Sequence, residues 1–180
     1  MKLFFISDIH GSITDLEYAL SKYAESSSDY LVILGDILNH GPRNPLPENY
    51  NPQKVAATLN KYKNEIICIR GNCDSEVDQM LLNFPILSDF SQILLDNHYF
   101  FLIHGHIFTN EKLNFLKENS IICSGHTHIP VAEKSGDLYY FNPGSITFPK
   151  ENNSKSYGIY EKNTLSIFSF ENKLIKELKL

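Results

Sequence analysis

The segment Leu3-Phe4-Phe5-Ile6-Ser7-Asp8-Ile9-His10-Gly11 shows the plan of the whole chain, because an unbroken apolar run leads straight to an aspartate and a histidine. Short runs rich in Ile, Val and Phe are typical of strands buried on both faces. The same pattern, an apolar run that stops at polar side chains able to bind a metal, recurs at residues 31–36, 66–72, 100–106 and 121–128. The chain therefore predicts an α/β fold with functional side chains at its strand ends.

These strand ends predict one shared metal site, since ligands of an α/β sheet bind in the crevice beyond the carboxyl ends of its strands. The side chains expected to converge there are two aspartates, one asparagine and four histidines: Asp8, Asp36, Asn72, His10, His104, His126 and His128. Such oxygen and nitrogen ligands suit Mn²⁺, Fe²⁺, Co²⁺, Ni²⁺ or Zn²⁺, and the lack of thiolate argues against a closed structural zinc site.

The number of ligands indicates two metal ions rather than one. A single four-coordinate ion would leave several of them unused, whereas two ions that share a carboxylate would use them all. Two divalent ions about 3.5–4 Å apart are a recurring device for displacement at phosphorus, and they lower the pKa of a shared water to about 7. Asp36 lies in the sequence between the two sets of ligands, and we predict that it bridges the ions.

Five ordered motifs give the chain a resemblance to a known family. They are Asp8-x-His10, Gly35-Asp36, Gly71-Asn72-x-Asp74, His104-Gly105-His106 and Gly125-His126-x-His128. In this order and approximate spacing they resemble the calcineurin-like metallophosphoesterases, and residues 39–44, 70–80 and 141–145 resemble a small bacterial phosphodiesterase of that family. The resemblance extends over residues 1 to about 160. It implies a four-layer α/β/β/α sandwich, with two mixed sheets flanked by helices.

The resemblance also implies which residues hold which ion. Asp8, His10, Asp36 and His128 would hold the first ion, and Asp36, Asn72, His104 and His126 the second. We expect Mn²⁺ at both positions, since mixed oxygen and nitrogen ligation suits it. His126 and His128 are expected to alternate along an extended segment, so that both point to the same side. The resemblance leaves His106 outside the metal shell, where it would orient the phosphate or a ligand, or be structural.

Two residues that follow Asn72 are candidate catalytic residues. Many relatives have a histidine, thought to protonate the leaving group, at the position of Cys73. A thiol with an ordinary pKa of about 8.5 is a poor substitute for an imidazolium acid. The small bacterial relatives share the cysteine, so we still expect hydrolysis, but with doubtful efficiency toward alkoxide leaving groups. Asp74 completes the Gly-Asn-x-Asp motif and is the second candidate.

The segment 39–51, called the proline loop below, contains Pro42, Pro45 and Pro47 and directly follows the strand end that carries Asp36. Ordered loops of about a dozen residues without regular structure are usually functional. In this loop Arg43 could bind a phosphate oxygen and His40 could donate a hydrogen bond to it. The alternative is a rigid cover in which Arg43 pairs with an acidic neighbour.

Composition limits the class of protein. A chain of 180 residues, 42% hydrophobic, predicts a single domain over residues 1–180. The net charge of -5 suggests no broad basic face for duplex nucleic acid. The first strand begins too early for a signal peptide, and no apolar run approaches the ~20 residues that span a bilayer. The unclustered Cys68, Cys73 and Cys123 are expected to be reduced thiols in a cytoplasmic protein.

Periodicity predicts the remaining elements. Helices are expected around residues 16–23, 52–62, 75–82 and 110–118. In the final third, the segments 138–141, 157–160, 165–170 and 173–178 are separated by Gly or Asn turns, which predicts an antiparallel set.

The function predicted from these residues and the resemblance is hydrolysis of a small phosphodiester by a hydroxide that bridges two metal ions. A phosphomonoesterase of the same fold is the alternative, and a nuclease fits the acidic balance less well. A retromer subunit uses this fold as a protein-binding scaffold with a degraded metal site, but here a competent side chain fills every ligand position. Exposed apolar residues in the C-terminal strands could serve a homo-oligomer interface.

Overall fold

The computed structural model describes residues 1–108 and 110–180, the side chains of 110 and 111 excepted. The strands are β1 (Leu3–Ile6), β2 (Tyr30–Ile33), β3 (Ile66–Cys68), β4 (Phe90–Leu95), β5 (His98–Ile103), β6 (Ile121–Cys123), β7 (Val131–Ser135), β8 (Leu138–Asn142), β9 (Ser156–Glu161), β10 (Thr164–Ser169) and β11 (Leu174–Lys179). The helices are α1 (Ile13–Ser26), α2 (Pro52–Leu59) and α3 (Glu76–Gln79), with 3₁₀ turns at Asn60–Tyr62 and Asn110–Leu113.

The strands form two mixed sheets within the described residues. One sheet has six strands in the order β11-β10-β9-β1-β2-β3, and the other has five in the order β4-β5-β6-β8-β7. β1, β2 and β3 are mutually parallel, and so are β5, β6 and β8. In each sheet the carboxyl ends of three parallel strands therefore lie side by side, and a ligand site is expected beyond such ends.

The apolar runs exist because the central strands are buried on both faces. Successive residues of a strand face opposite sides of the sheet. Phe4 of β1 accordingly packs with Leu16 of α1 and Val55 of α2 on one side. Phe5 points into the layer between the two sheets, where its ring centroid lies 5.2 Å from that of Phe141 in β8. Burial of each such side chain stabilises the fold by about 1.5–3 kcal/mol.

The outer face of the five-stranded sheet has a thinner cover. Phe101, Ile103 and Ile122 form a buried cluster there with Leu113, which belongs to the 3₁₀ turn Asn110–Leu113. The predicted α/β/β/α sandwich is confirmed, with this short turn in place of a long helix in the fourth layer. The helix expected at 110–118 is thus reduced to the turn.

The helix expected at 75–82 is also shorter than predicted. Ser75 and Asp78 form a capping box that starts α3, but the helix ends at Gln79. The side-chain amide of Gln79 donates to the carbonyl oxygens of Leu82 and Phe84, and its oxygen accepts from the backbone N–H of Ile86. These hydrogen bonds hold the following chain in a non-helical path. α1 and α2 form where they were predicted.

The antiparallel prediction is correct for β9, β10 and β11 and wrong for β8. β8 lies in the other sheet, parallel to β6, and pairs antiparallel only with its hairpin partner β7. β4 and β7 were not predicted, because both are edge strands in which polar residues interrupt the apolar pattern. None of the helices in the described parts of the chain has the length and apolar character that a bilayer crossing requires.

Candidate metal centre

Asp8 follows β1 at the edge where the two rows of parallel strands end. Its Oδ2 accepts hydrogen bonds from Ser7 Oγ at 2.7 Å and from the backbone N–H of His126 at 3.1 Å. His126 follows β6, so this carboxylate joins the loops of both sheets. Its other oxygen, Oδ1, is buried and accepts no hydrogen bond from the described residues.

Asp36, which follows β2, is held in a similar way. Its Oδ1 accepts from the backbone N–H of Cys73 at 2.8 Å, which leaves Oδ2 directed toward the histidines. Asp74 sits behind it, and its carboxylate accepts from the backbone N–H groups of Asp36, Ile37 and Gly71 at 2.8, 2.8 and 2.7 Å. Burial raises the pKa of Asp74 to about 6, against the opposing effect of these donors. Asp74 thus holds the loop after β2 against the loop after β3, and it does not line the cleft described below.

Three histidines present the same ring nitrogen to the centre. Nδ1 of His10, His104 and His128 lies 2.9, 2.6 and 2.6 Å from the backbone carbonyl oxygens of Asn39, Leu34 and Phe148, respectively. A carbonyl oxygen can only accept, so each Nδ1 carries a proton, and Nε2 is the nitrogen that can coordinate a metal once it is deprotonated. Hydrogen bonding of this kind fixes the tautomer and the orientation of metal-binding histidines.

The free Nε2 atoms surround the two carboxylates. Asp8 Oδ1 lies 3.2 Å from His128 Nε2 and 3.8 Å from His10 Nε2. Asp36 Oδ2 lies 3.7 Å from His10 Nε2 and 3.5 Å from His104 Nε2. Asp36 therefore lies between a histidine assigned to the first ion and one assigned to the second. Asp8 Oδ1 is also 4.0 Å from His104 Nε2, so both carboxylates lie among the histidines.

Asn72 and His126 complete the set on the side of His104. Asn72 Oδ1 lies 3.2 Å from His104 Nε2, and its amide nitrogen donates to Cys73 Sγ at 3.1 Å. The His126 ring centroid is 5.1 Å from that of His104. The structure brings all seven predicted ligands to one place.

This arrangement fits divalent metal ions. Three overlapping groups of the described residues have ligand atoms within 4.8 Å of one another: Asp8, His10 and His128; Asp8, Asp36 and His104; and His10, Asp36 and Cys73. Burial would raise the pKa of Asp8 and Asp36, but the adjacent histidines outweigh it and hold both values below their usual range. The carboxylates are thus ionised, and the unpartnered Asp8 Oδ1 is a buried negative atom that a cation would satisfy.

The backbone of the ligand loops has an unusual conformation. Five predicted ligands have positive φ angles: Asp8 (58°), His10 (47°), Asp36 (58°), His126 (65°) and His128 (62°). The expectation that His126 and His128 alternate along an extended segment is therefore wrong, because both adopt the left-handed conformation. Residues other than glycine pay roughly 1–2 kcal/mol for it, and such strain is concentrated at functional sites.

Two motif glycines are required by close approach. A Cβ on Gly71 would collide with the Asp36 carboxylate, and a Cβ on Gly125 would collide with Ser7 Oγ. The Gly-Asn and Gly-His motifs therefore let the loops of different strands pack directly against the carboxylates.

A cleft of 590 Å³, called the metal cleft below, opens beside these residues. Cys73 and Arg43 line it, as do five of the predicted ligands, which are His10, Asp36, Asn72, His126 and His128. His40 does not, since its ring packs edge-on against Tyr50 with centroids 5.4 Å apart. His106 is not part of the lining either, and its ring packs 5.3 Å from that of His104.

The segment after β8 contributes residues that sequence reasoning missed. Ser145 Oγ donates to the carbonyl oxygen of Asp8 at 3.0 Å, and Thr147 Oγ1 donates to that of Ile9 at 2.8 Å. Lys150 lines the metal cleft. The signal was present in the sequence, since Leu138 to Phe141 is a sixth apolar run that ends at polar residues.

We expect the metal-free protein to bind two divalent ions per chain, with an affinity that falls as the pH is lowered. Burial alone would lower the pKa of His104, but Asp36, Asp8 and the Leu34 carbonyl raise it to about 9. Below that pH the ring is protonated, so an ion must displace the proton, and the apparent affinity should fall about tenfold per pH unit. Calorimetry in buffers of different ionisation enthalpy would measure stoichiometry and proton release together. A single tightly bound ion would contradict the binuclear prediction.

Comparisons with known proteins agree with this geometry. The model of the calcineurin-like phosphoesterase superfamily domain matches residues 1–164. Phosphodiesterase YfcE of Escherichia coli (strain K12) is 51% identical over 175 residues, 97% of this chain and 95% of that protein. Probable metallophosphoesterase YsnB of Bacillus subtilis (strain 168) is 28% identical over 160 residues, 88% of this chain and 83% of that protein.

A solved structure of the E. coli phosphoesterase Yfce has a TM-score of 0.97 at 49% identity and covers 99% of both chains. The family resemblance noted in the sequence is therefore confirmed, over more of the chain than the motifs alone occupy. This chain belongs to the calcineurin-like phosphoesterase superfamily.

Proposed function

We propose that the protein is a phosphodiesterase that uses two divalent metal ions, with Mn²⁺ as the preferred ion, in the cytoplasm. The observation that carries the proposal is the convergence of two ionised carboxylates, an amide oxygen and four imidazoles beside one open cleft, which five of these seven residues line. The identity to Phosphodiesterase YfcE supports the choice of a diester. Asp8, His10, Asp36 and His128 would hold one ion, and Asp36, Asn72, His104 and His126 the other.

When bound, such ions neutralise charge on a phosphate and supply a nucleophilic water at neutral pH. The chain itself supplies orientation. Three of the histidines are oriented by hydrogen bonds from Nδ1 to backbone carbonyl oxygens, and each carboxylate is held by hydrogen bonds to one of its two oxygens. The coordinating atoms are therefore in place before any ligand binds. A preorganised site of this kind needs little rearrangement during the reaction.

Arg43 would bind the substrate phosphate. It lines the metal cleft, and no carboxylate oxygen of the described residues lies within 4.0 Å of its guanidinium. The alternative in which Arg43 pairs with an acidic neighbour has no such partner among those residues. A guanidinium can donate two parallel hydrogen bonds to phosphate oxygens.

We expect Arg43→Ala to lower kcat/KM for diesters by about ten- to hundredfold, because a charged hydrogen bond contributes about 1.5–3 kcal/mol. Metal content should stay unchanged, since Arg43 lies outside the predicted ligand set. Arg43→Lys is the matched control: it keeps the charge but loses the paired geometry, so its loss should be intermediate. An alanine variant with unchanged kcat/KM would mean that Arg43 does not bind the phosphate and only helps to cover the cleft.

The activity itself is tested by comparing bis(4-nitrophenyl) phosphate with 4-nitrophenyl phosphate on Mn²⁺-loaded protein. We expect the diester to be hydrolysed with the higher kcat/KM and chelation to remove that activity. A higher kcat/KM for the monoester would favour the phosphomonoesterase alternative. Two bound metals without hydrolysis of either ester would contradict the proposal.

A further inference from the structure

The walls of the metal cleft are polar beyond the predicted ligands. Apart from the histidines among those ligands, none of the described residues that line it has an aromatic ring or a large aliphatic side chain. Proteins that recognise a nucleobase commonly stack it on an aromatic ring. The walls therefore offer a substrate mainly polar and charged contacts.

Lys150 is the charged residue on one wall, and its backbone is tied to a predicted ligand. Its N–H donates to the carbonyl oxygen of His128 at 3.2 Å, while His128 Nδ1 lies 2.6 Å from the carbonyl oxygen of Phe148. The carbonyl oxygen of Lys150 accepts from the backbone and side-chain amides of Asn153 at 3.1 and 2.8 Å. The backbone of Lys150 is thus held next to His128.

The Lys150 ammonium is not neutralised within the protein. No carboxylate oxygen of the described residues lies within 4.0 Å of its Nζ, as is also true of Arg43. Two divalent ions held by Asp8 and Asp36 would already exceed the charge of those carboxylates. A simple diester carries only one negative charge and the predicted hydroxide another, so the loaded cleft with both side chains would remain positive.

Lys150 and Arg43 belong to different walls. Arg43 lies in the proline loop, whose Gly41 packs against Cys73: a Cβ there would lie 2.8 Å from Cys73 Sγ. Lys150 lies in the loop that joins β8 of the five-stranded sheet to β9 of the six-stranded sheet. Arg43 and Lys150 thus line the metal cleft from two separate loops.

We propose that Lys150 binds a second anionic group on one ester arm of the substrate, so that the preferred substrates are phosphodiesters with a carboxylate or a further phosphate on that arm. This inference rests on the proposed phosphodiesterase activity and specifies its substrate class. Lys150 is a specificity residue: it contacts the substrate but has no part in bond cleavage.

The test uses two 4-nitrophenyl diesters with the same leaving group, one with a neutral ethyl arm and one with a 2-carboxyethyl arm. We expect the wild type to prefer the carboxylated diester by about tenfold, mainly through a lower KM, as a partly exposed charged hydrogen bond would give. Lys150→Gln should abolish this preference, because it lowers kcat/KM far more for the carboxylated diester than for the ethyl diester. Lys150→Arg should retain the preference, because the charge is kept.

Lys61→Gln is the matched control, since it makes the same charge change at an exposed lysine that does not line the metal cleft. It should behave as wild type, and metal content should be equal in all variants. An equal loss on both diesters in Lys150→Gln, or an unchanged preference, would overturn the inference. If the wild type hydrolyses both diesters equally well, the inference alone fails. If it hydrolyses neither, the proposed function fails.

Discussion

We expect Asp36→Asn to lower kcat/KM for diesters by about a thousandfold or more, because metal ions contribute several kcal/mol of transition-state stabilisation. Asp36 Oδ2 lies 3.7 Å from Nε2 of His10, which is assigned to one ion, and 3.5 Å from Nε2 of His104, which is assigned to the other. Asparagine keeps the shape, and its oxygen can still accept from the Cys73 N–H. The fold should therefore survive while the charge shared by both ions is lost.

Two further variants show whether Asp36 is the bridge. His128→Ala removes a neutral ligand of one group and should disturb chiefly one ion. Asp8→Asn makes the same chemical change at the other central carboxylate, which is predicted to serve the first ion only. Metal analysis should find both ions weakened in Asp36→Asn and one in each control. Two ions and near-normal turnover in Asp36→Asn would refute the bridging role, and loss of both ions in Asp8→Asn alone would transfer it to Asp8.

Cys73→His should improve the hydrolysis of diesters with poor leaving groups by about 10²–10⁴-fold, the usual contribution of a general acid. Burial and the nearby Asp36 carboxylate raise the pKa of the Cys73 thiol to about 12, far from the value near 7 that suits proton transfer. The wild type should therefore depend steeply on leaving-group pKa, hydrolysing aryl diesters well and alkyl diesters poorly. The histidine variant should show a flatter dependence, measured as kcat/KM across a graded series of diesters.

The packing at Cys73 determines the controls for this experiment. Its sulfur lies against Gly41 of the proline loop and accepts from the amide of Asn72. An imidazole is larger and could shift either neighbour, so the variants must be compared at equal metal occupancy. Cys73→Ser tests the loss of the thiol without added bulk. Parallel dependences in wild type and Cys73→His would mean that another group, such as His106, protonates the leaving oxygen.

The central strands and the convergence of the candidate ligands could be predicted because one physical cause produces both signals. A strand buried on both faces must be apolar throughout, and its carboxyl end must carry the polar residues. β4, β7 and the pairing of β8 could not be predicted in this way. Edge strands tolerate polar residues, and a short apolar run such as Leu138 to Phe141 does not reveal which sheet it joins.

The loop residues were harder to predict for a different reason. Arg43 and His40 are three residues apart in the proline loop, yet only Arg43 lines the metal cleft, because the His40 ring packs against Tyr50. Lys150 lies at the cleft because its segment is hydrogen-bonded to His128, which precedes it in the chain by two strands, β7 and β8. Such orientations depend on tertiary contacts that periodicity and spacing do not record.

The left-handed backbone at Asp8, His10, Asp36, His126 and His128 bears on what would happen to this chain if the site had no use. Aspartate and histidine tolerate that conformation better than most residues, yet each still stores on the order of 1 kcal/mol. Glycine would relieve that strain, but it would also remove the hydrogen bonds by which the side chains of Asp8, Asp36, His10 and His128 hold neighbouring loops. Backbone strain of this kind is concentrated at functional sites. That all five positions keep a metal-binding side chain favours a working enzyme.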